Sequence, residues 1–389
     1  MKQIRTVKLQ LDVPMEVFQP TIQAYTSAFN HVCKHGYDSK EFNGVTLHHQ
    51  TYNYCRQEFN LPSQLAISSR MKATEALKSI RERQKQGKKA SCPQSKQSSV
   101  RYDDRSFSVD FAKNEVKLLT LNKRVSVPIS VPEYFKQYIN WKRCSADLFQ
   151  TYDGKTFLHI VFETETPNVV INEERVGIDR GIKKLAVVSD NRFFGGGKLK
   201  HISQRYEKLR SELQSKGHSG KRHLRTIKCK ENRFRKDVNH CITKQIVATL
   251  KSGSTIVLEK LTGIRGGSHK LRKQQRKEVN KWNFFQFEQF LTYKAMWKGI
   301  NVEYVDARYT SQRCSCCGHI KKSNRINQWK FKCKKCGFQL NADLNASRNI
   351  VLKYLDSTGY PDTANVNLPN NSLTAVNAPS SEVEQAPTL

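Results

Sequence analysis

The stretch Val176-Gly-Ile-Asp179 sets a single carboxylate inside an otherwise apolar strand, and no other feature constrains the fold of this chain as strongly. Residues 175–188 read as an apolar strand, a turn at Gly181 and a returning apolar strand. A bare charge in a sheet is unfavourable by several kcal/mol unless it is paired or binds a cation. An isolated Asp in this setting would be read as a salt bridge to a neighbouring Lys or Arg. Glu259, however, closes a second apolar strand, Ser254-Thr-Ile-Val-Leu-Glu259, and two such placements are harder to dismiss. Between them runs a helical stripe of Leu224, Ile227, Phe234, Val238, Ile242, Ile246 and Leu250, ended by Gly253. Strand pair, helix and strand are the elements of a sheet with a crossover helix.

A second amphipathic helix over 282–298, stopped by Gly299, and a strand over 300–305 lead to the third acid. Asp343 opens a helix that continues through Tyr354, where alone it would be a favourable partner for the helix dipole. Strand-borne Asp, strand-borne Glu and helix-start Asp, in that order, are what RNase H-like nucleases use to hold two divalent ions. Hard cations need oxygen ligands. A pair about 4 Å apart activates the attacking water and stabilises the leaving oxygen of a phosphodiester. The expected roles are Asp179 bridging two Mg²⁺ ions, with Glu259 and Asp343 each completing one shell.

Just upstream of Asp343, Cys314-Ser-Cys-Cys317-Gly and Cys333-Lys-Lys-Cys336-Gly form two knuckles of paired thiols, each followed by Gly. Four thiolates at this spacing satisfy one tetrahedral Zn²⁺, and a closed shell makes the site structural. An iron–sulfur or redox site is the weaker alternative. Cys316 is spare, and His319 reads as a surface residue. The ribbon is expected to brace the segment carrying Asp343. Its basic loop (Lys321, Lys322, Arg325, Lys330, Lys332, Lys334, Lys335) is expected to touch a phosphate backbone.

Charge names the partner class. Lys plus Arg number 67 against 34 Asp plus Glu, a formal charge of +33, which points to a polyanion. No apolar run reaches transmembrane length and no charged-then-apolar signal opens the chain, so nucleic acid is favoured over membrane and a cytoplasmic location is expected. The other cysteines of the 11 are scattered singly, which is not a disulfide framework. Residues 198–236 hold 14 Lys or Arg against 3 Glu, a one-signed density that repels itself unless phosphates lie against it. A second basic cluster, 269–281, reads as a mobile loop at the catalytic rim.

At 389 residues, two or three compact units are expected. Residues 2–13 alternate as a half-buried strand. Helical periodicity follows over 15–84, broken at Gly36, Gly44 and Pro62, and short strands such as 106–111, 115–121, 124–129 and 157–163 continue to Thr166. Strand one and this cluster could close into one small barrel around a helical insertion. Residues 167–174 read as a linker, and 357–389, rich in Asn, Pro, Ser and Thr, as a disordered tail.

The order of motifs resembles the TnpB family, the OrfB-type proteins of insertion sequences. The residues that carry it are Gly-Ile-Asp179-Arg-Gly-Ile-Lys-Lys-Leu-Ala-Val, Val-Leu-Glu259-Lys-Leu, Tyr309-Thr-Ser-Gln-Arg-Cys314-Ser-Cys-Cys317-Gly, Cys333-Lys-Lys-Cys336-Gly and Asn341-Ala-Asp343-Leu-Asn-Ala-Ser-Arg-Asn-Ile350. The resemblance implies an α+β multidomain chain: a wedge-like β-barrel over 1–14 and 90–170, a helical recognition insertion over 15–89, a RuvC/RNase H-like domain over 175–308 and 340–356, and a zinc ribbon over 309–339. It also implies an RNA-guided DNA endonuclease, working with a guide RNA from the transposon end on double-stranded DNA selected largely by pairing. The sequence leaves the oligomeric state open, with a monomer favoured. Two alternatives stand beside it, a guide-independent transposase or resolvase and a non-cleaving RNA-guided repressor. The intact acids speak against the repressor.

Overall fold

In the computed structural model, residues 2–151, 153–166, 170–262, 266 and 270–359 are described, and the chain divides into two compact units, Met1–Thr166 and Pro167–Leu389. Of the expected tail, Ser357 and Thr358 instead belong to the last helix, and 360 onward lies outside the described residues.

In the first unit, β1 (Lys2–Leu11) alternates buried and exposed residues along its length, as the sequence pattern requires. Three long helices follow, α1 (Gln19–Asp38), α2 (Gly44–Glu58) and α3 (Ser63–Lys85). Gly36 does not break the chain, because it lies inside α1, where a Cβ would meet Leu77 Cδ1 at 2.5 Å. Asn43 caps α2 by accepting from Val45 N, and Pro62 precedes α3.

The strands β2 (Val100–Tyr102), β3 (Phe107–Asp110), β4 (Glu115–Leu119) and β5 (Arg124–Pro128) come next, then the single turn α4 (Glu133–Lys136) and the long strands β6 (Lys142–Gln150) and β7 (Thr156–Glu165). Hydrogen bonding arranges them as two sheets, β1-β7-β6-β2 and β3-β4-β5, joined by a bridge between Leu11 and Ile129.

The second unit holds β8 (Arg175–Asp179), β9 (Lys184–Val188), β10 (Phe193–Gly195), α5 (Gly197–Ser215), α6 (Gly217–Ile227), α7 (Lys230–Thr249), β11 (Thr255–Lys260), α8 (Lys273–Lys281), α9 (Phe284–Trp297), β12 (Asn301–Asp306), β13 (Lys330–Lys332), β14 (Gln339–Asn341) and α10 (Ala342–Thr358). Its five-stranded sheet has the order β10-β9-β8-β11-β12, with β8, β11 and β12 parallel and β9 antiparallel to β8. Val176, Ile178, Ile256 and Leu258 send their side chains to one face, where Ile242, Ile246, Leu291 and Ala295 of α7 and α9 cover them. The crossover is three helices and not one, with breaks at Lys216 and at Cys229, whose φ of +66° turns the chain before α7. Residues 273–281, read from sequence as loop, are helical.

The opposite face takes α10. A Cβ on Gly177 would lie 2.2 Å from Ser347 O and 2.8 Å from Val351 Cγ2, so helix and strand approach more closely than any side chain permits. Val257, Val305 and Ile350 close the same interface. Gly177→Ala is therefore expected to push α10 off the sheet and destabilise the second unit by about 1–3 kcal/mol, the cost of overpacking. Calorimetric unfolding of the variant at wild-type temperature would show the approach to be looser than this.

Candidate active site

Parallel pairing of β8 with β11 sets Ile178 opposite Leu258, so Asp179 and Glu259 are the next residues on adjacent strands. Strands lie about 4.8 Å apart, and residues two apart share a face. Gly177 and Val257 face α10, and hence Asp179 and Glu259 turn toward the same side at the carboxyl ends of their strands. In open α/β sheets this end is where ligands bind. α10 brings the third acid: Asn341 caps it by accepting from Asp343 N at 3.0 Å and Leu344 N at 3.2 Å, which fixes Asp343 in the first turn. Glu259 and Asp343 are each only 8% exposed.

Asp179 feels both of the other acids. Burial first, and then the charges of Glu259 and Asp343, push Asp179 up to about 8. Burial also raises Glu259, opposed by the Thr310 hydroxyl, which donates to Glu259 Oε1 at 2.5 Å. A cation offsets such clustering of acids, and two cationic side chains already stand near. Arg325 pairs with Asp343 at 2.8 Å, and the buried Arg180 pairs with Glu288 at 2.6 Å while donating to Glu259 O. In the sequence Arg325 is one of seven basic residues in the ribbon loop; the structure turns it inward onto a carboxylate. Trp329, from the same loop, lies under Lys183 of the β8–β9 turn and Lys184 at the start of β9, at 5.6 and 5.8 Å.

The four thiols of Cys314, Cys317, Cys333 and Cys336 come together with all sulfurs within 4.8 Å of one another. Cys314 Sγ lies 3.8 Å from Cys336 Sγ, and Cys317 Sγ lies 3.6 Å from Cys333 Sγ. Zn–S bonds of about 2.3 Å in a tetrahedron imply sulfurs about 3.8 Å apart, so the thiols are spaced to hold a metal such as zinc. Gly318 and Gly337, at φ of +71° and +75°, close the two knuckles. In the second, Lys335 N and Cys336 N donate to Cys333 Sγ. Cys316 is exposed and outside the set. The three carboxylates are not gathered as tightly as these thiols, which are the sole such group of ligands among the described residues.

Some of the positive charge is internally tied. Glu231 is buried against Ser203, Arg210 and Arg235, at 2.8, 2.7 and 2.9 Å. Glu207 of α5 pairs with Lys277 and Lys281 of α8, which holds its carboxyl down at about 2. Glu212, the third Glu of 198–236, pairs with Lys208 at 4.0 Å, so all three acids are engaged and the stretch keeps a large excess of Lys and Arg. No described helix is long and apolar enough to cross a membrane.

Comparison with known proteins finds the same family that the motifs resemble. Residues 159–263 match the family model OrfB_IS605, described as a probable transposase, and residues 284–350 match that of the Cas12f1-like TNB domain. The CRISPR-associated endodeoxyribonuclease Cas12f1 of Syntrophomonas palmitatica is 29% identical over 272 residues, covering 57% of this chain and 54% of that protein. The TnpB-like protein MJ0751 of Methanocaldococcus jannaschii is 29% identical over 261 residues, covering 63% of this chain and 93% of that one. The putative RNA-guided DNA endonuclease InsQ of Escherichia coli is 30% identical over 218 residues, covering 51% and 54%. The chain thus spans about half the length of the Cas12f1 and InsQ relatives. Among solved structures, a Cas12f1–sgRNA–target DNA complex aligns over 87% of this chain and 82% of its own with a TM-score of 0.60 at 16% identity, a likeness of mixed α/β multidomain fold. On the strength of its motifs and these matches, the chain is a relative of the TnpB-like proteins and of the Cas12f1 endodeoxyribonucleases.

Proposed function

We propose that this chain is an RNA-guided DNA endonuclease of a transposable element, with Asp179, Glu259 and Asp343 as its catalytic carboxylates. The observation that carries the reading is the convergence of these acids on the α10-covered face of a mixed sheet, remote as they are in sequence. The order β10-β9-β8-β11-β12, with the first two strands antiparallel and the third acid on a helix packed across the sheet, supports a RuvC/RNase H-like domain over 175–308 and 340–356. The four-thiol site supports a zinc ribbon over 309–339, and the two N-terminal sheets with their helical insertion over 15–89 support a wedge-like barrel over 1–14 and 90–170.

Mg²⁺ is the fitting catalytic ion, because the donors are hard oxygens. Bound between these acids, a pair of ions would supply an activated water and charge stabilisation for phosphodiester hydrolysis. The chain's own contribution is placement. Asp179 lies beside Glu259 on the neighbouring strand and feels the charge of Asp343, so the three acids are the residues that would hold the ions, and Arg325, now on Asp343, is placed to meet a phosphate once it leaves that carboxylate. The basic surface of α5 to α7 suits the backbone of a guide RNA or of DNA. Retention of all three acids argues against a repressor that binds without cutting.

Purification from cells carrying the native locus tests the guide. A discrete RNA derived from the adjacent transposon end is expected to copurify, and the complex is expected to cut double-stranded DNA that pairs with it. Cleavage by the RNA-free protein at the same rate would favour the guide-independent transposase or resolvase instead.

A further inference from the structure

Between β12 and the first zinc knuckle the chain makes a tight turn. Tyr309 adopts a left-handed conformation, with φ of +65°, although it is not glycine and its side chain is 57% exposed. Conformations of this kind persist only where the surroundings dictate them. What they dictate here is the position of Thr310, which is 4% exposed. Its hydroxyl has one proton and two acceptors in reach, Glu259 Oε1 at 2.5 Å and Ala307 O at 3.0 Å. The carboxylate is both nearer and the stronger acceptor, so the proton goes to Glu259.

Thr310 is itself held from α10. Asn349, fully buried, donates through Nδ2 to Thr310 O at 2.9 Å and to Arg313 O at 2.6 Å. Two carbonyls face the same end of its side chain, which fixes that end as the NH₂ and uses both of its protons. One turn earlier on the same helical face, Asn345 donates to Arg313 O at 2.8 Å and accepts from Ser315 N at 3.0 Å. Two buried amides on α10 therefore clamp the backbone from Thr310 to Ser315, and Cys314 lies within that clamp. The same helix carries Asp343 at its start and is seated on β8 through Gly177.

We propose that Thr310 is a positioning residue for Glu259, held in register by Asn349, so that α10 sets two of the three carboxylates: Asp343 directly and Glu259 through Asn349 and Thr310. The inference rests on the metal-binding role assigned above to the acids. A carboxylate whose Oε1 is fixed by a buried donor presents Oε2 in one direction, and an ion bound there meets a preoriented ligand. Partners of this kind commonly contribute 10- to 100-fold in metal affinity.

The test is Mn²⁺ binding, followed by electron paramagnetic resonance on the full-length, zinc-loaded protein. Thr310→Val, which keeps the shape and removes the donor, is expected to weaken Mn²⁺ binding about tenfold, at the lower end of that range. Thr310→Ser, which restores the hydroxyl, is expected to stay within about twofold of wild type. Nucleic-acid binding should be unchanged in both. Wild-type Mn²⁺ affinity in Thr310→Val would overturn the inference while leaving the nuclease reading standing, and an equal loss in Thr310→Ser would assign the effect to packing and overturn it too. Absence of Mn²⁺ binding in the wild type would overturn the nuclease reading and this inference with it. Should the Val variant not fold, Thr310→Ala carries the same expectation.

Discussion

Asp179→Asn is expected to lower DNA cleavage by at least about 10³-fold, equivalent to about 4 kcal/mol of barrier, while leaving nucleic-acid affinity within about twofold. The amide is isosteric but a far weaker ligand for a hard cation than a carboxylate, and Asp179 sits beside Glu259 on the adjacent strand and feels the charge of Asp343. The same substitution should raise the thermal stability of the metal-free protein. Burial and two like charges oppose ionisation of Asp179, so replacing the carboxyl with a neutral group relieves repulsion instead of breaking a favourable pair. Loss of activity coupled to a gain in melting temperature distinguishes a metal ligand from a structural ion pair, whose removal would destabilise. Cleavage measured on a plasmid target together with calorimetry checks both halves. A destabilised Asp179→Asn would mean that Asp179 is held chiefly by Arg180 or Arg325, and it would sink the catalytic assignment.

Removal of metal from the thiol site is expected to have the second largest effect. The ribbon's own core is small, with Cys314, Phe331, Cys333 and Ala342 backed by Phe338, and its two strands have three residues each. So little apolar surface cannot hold a fold of this size, and the ion's binding energy, about 10 kcal/mol or more in small zinc domains, is its folding energy. Cys333→Ser or strong chelation should therefore leave 309–339 open to protease while the large sheet stays folded. The damage should extend to the active site, because Arg325 on Asp343 and Thr310 on Glu259 both come from that segment. A drop in cleavage of at least about 10²-fold is expected, in line with losses from removing groups that orient metal ligands. A chelated protein that resists proteolysis and cuts normally would show the thiols to be dispensable.

Much of this was legible in the sequence because the signals are local. A lone acid in an apolar strand is conspicuous, and two Cys-x-x-Cys-Gly pairs declare their geometry through spacing. The alternation of β1 and β7 and the periodicity of α1 to α3 were readable for the same reason. What escaped was whatever depends on a remote partner. Thr310, Asn345 and Asn349 look like ordinary turn and helix residues until the carbonyls they face are known, and Arg325 resembles every other cation in its loop. Strand β6 was missed because its first half, Lys142-Arg-Cys-Ser, is polar, and the alternation begins only at Ala146. The crossover appeared as one helix because its stripe continues in α7 after breaks that no Pro marks. Over 269–281, lysine and arginine density was read as loop, although Lys277 and Lys281 are anchored to Glu207.

The seating of α10 on Gly177 has a temporal side. Ribosomes deliver the chain from its amino terminus, and the sheet that holds Asp179 and Glu259 is complete once β12 has emerged, with one of its faces still bare. Until 342–358 arrives, Val257 and Val305 lack their cover and the two acids lack a third. If the three acids act together as proposed, a nascent chain lacking 342–358 holds only two of them, and a message broken before codon 343 yields a product without the third.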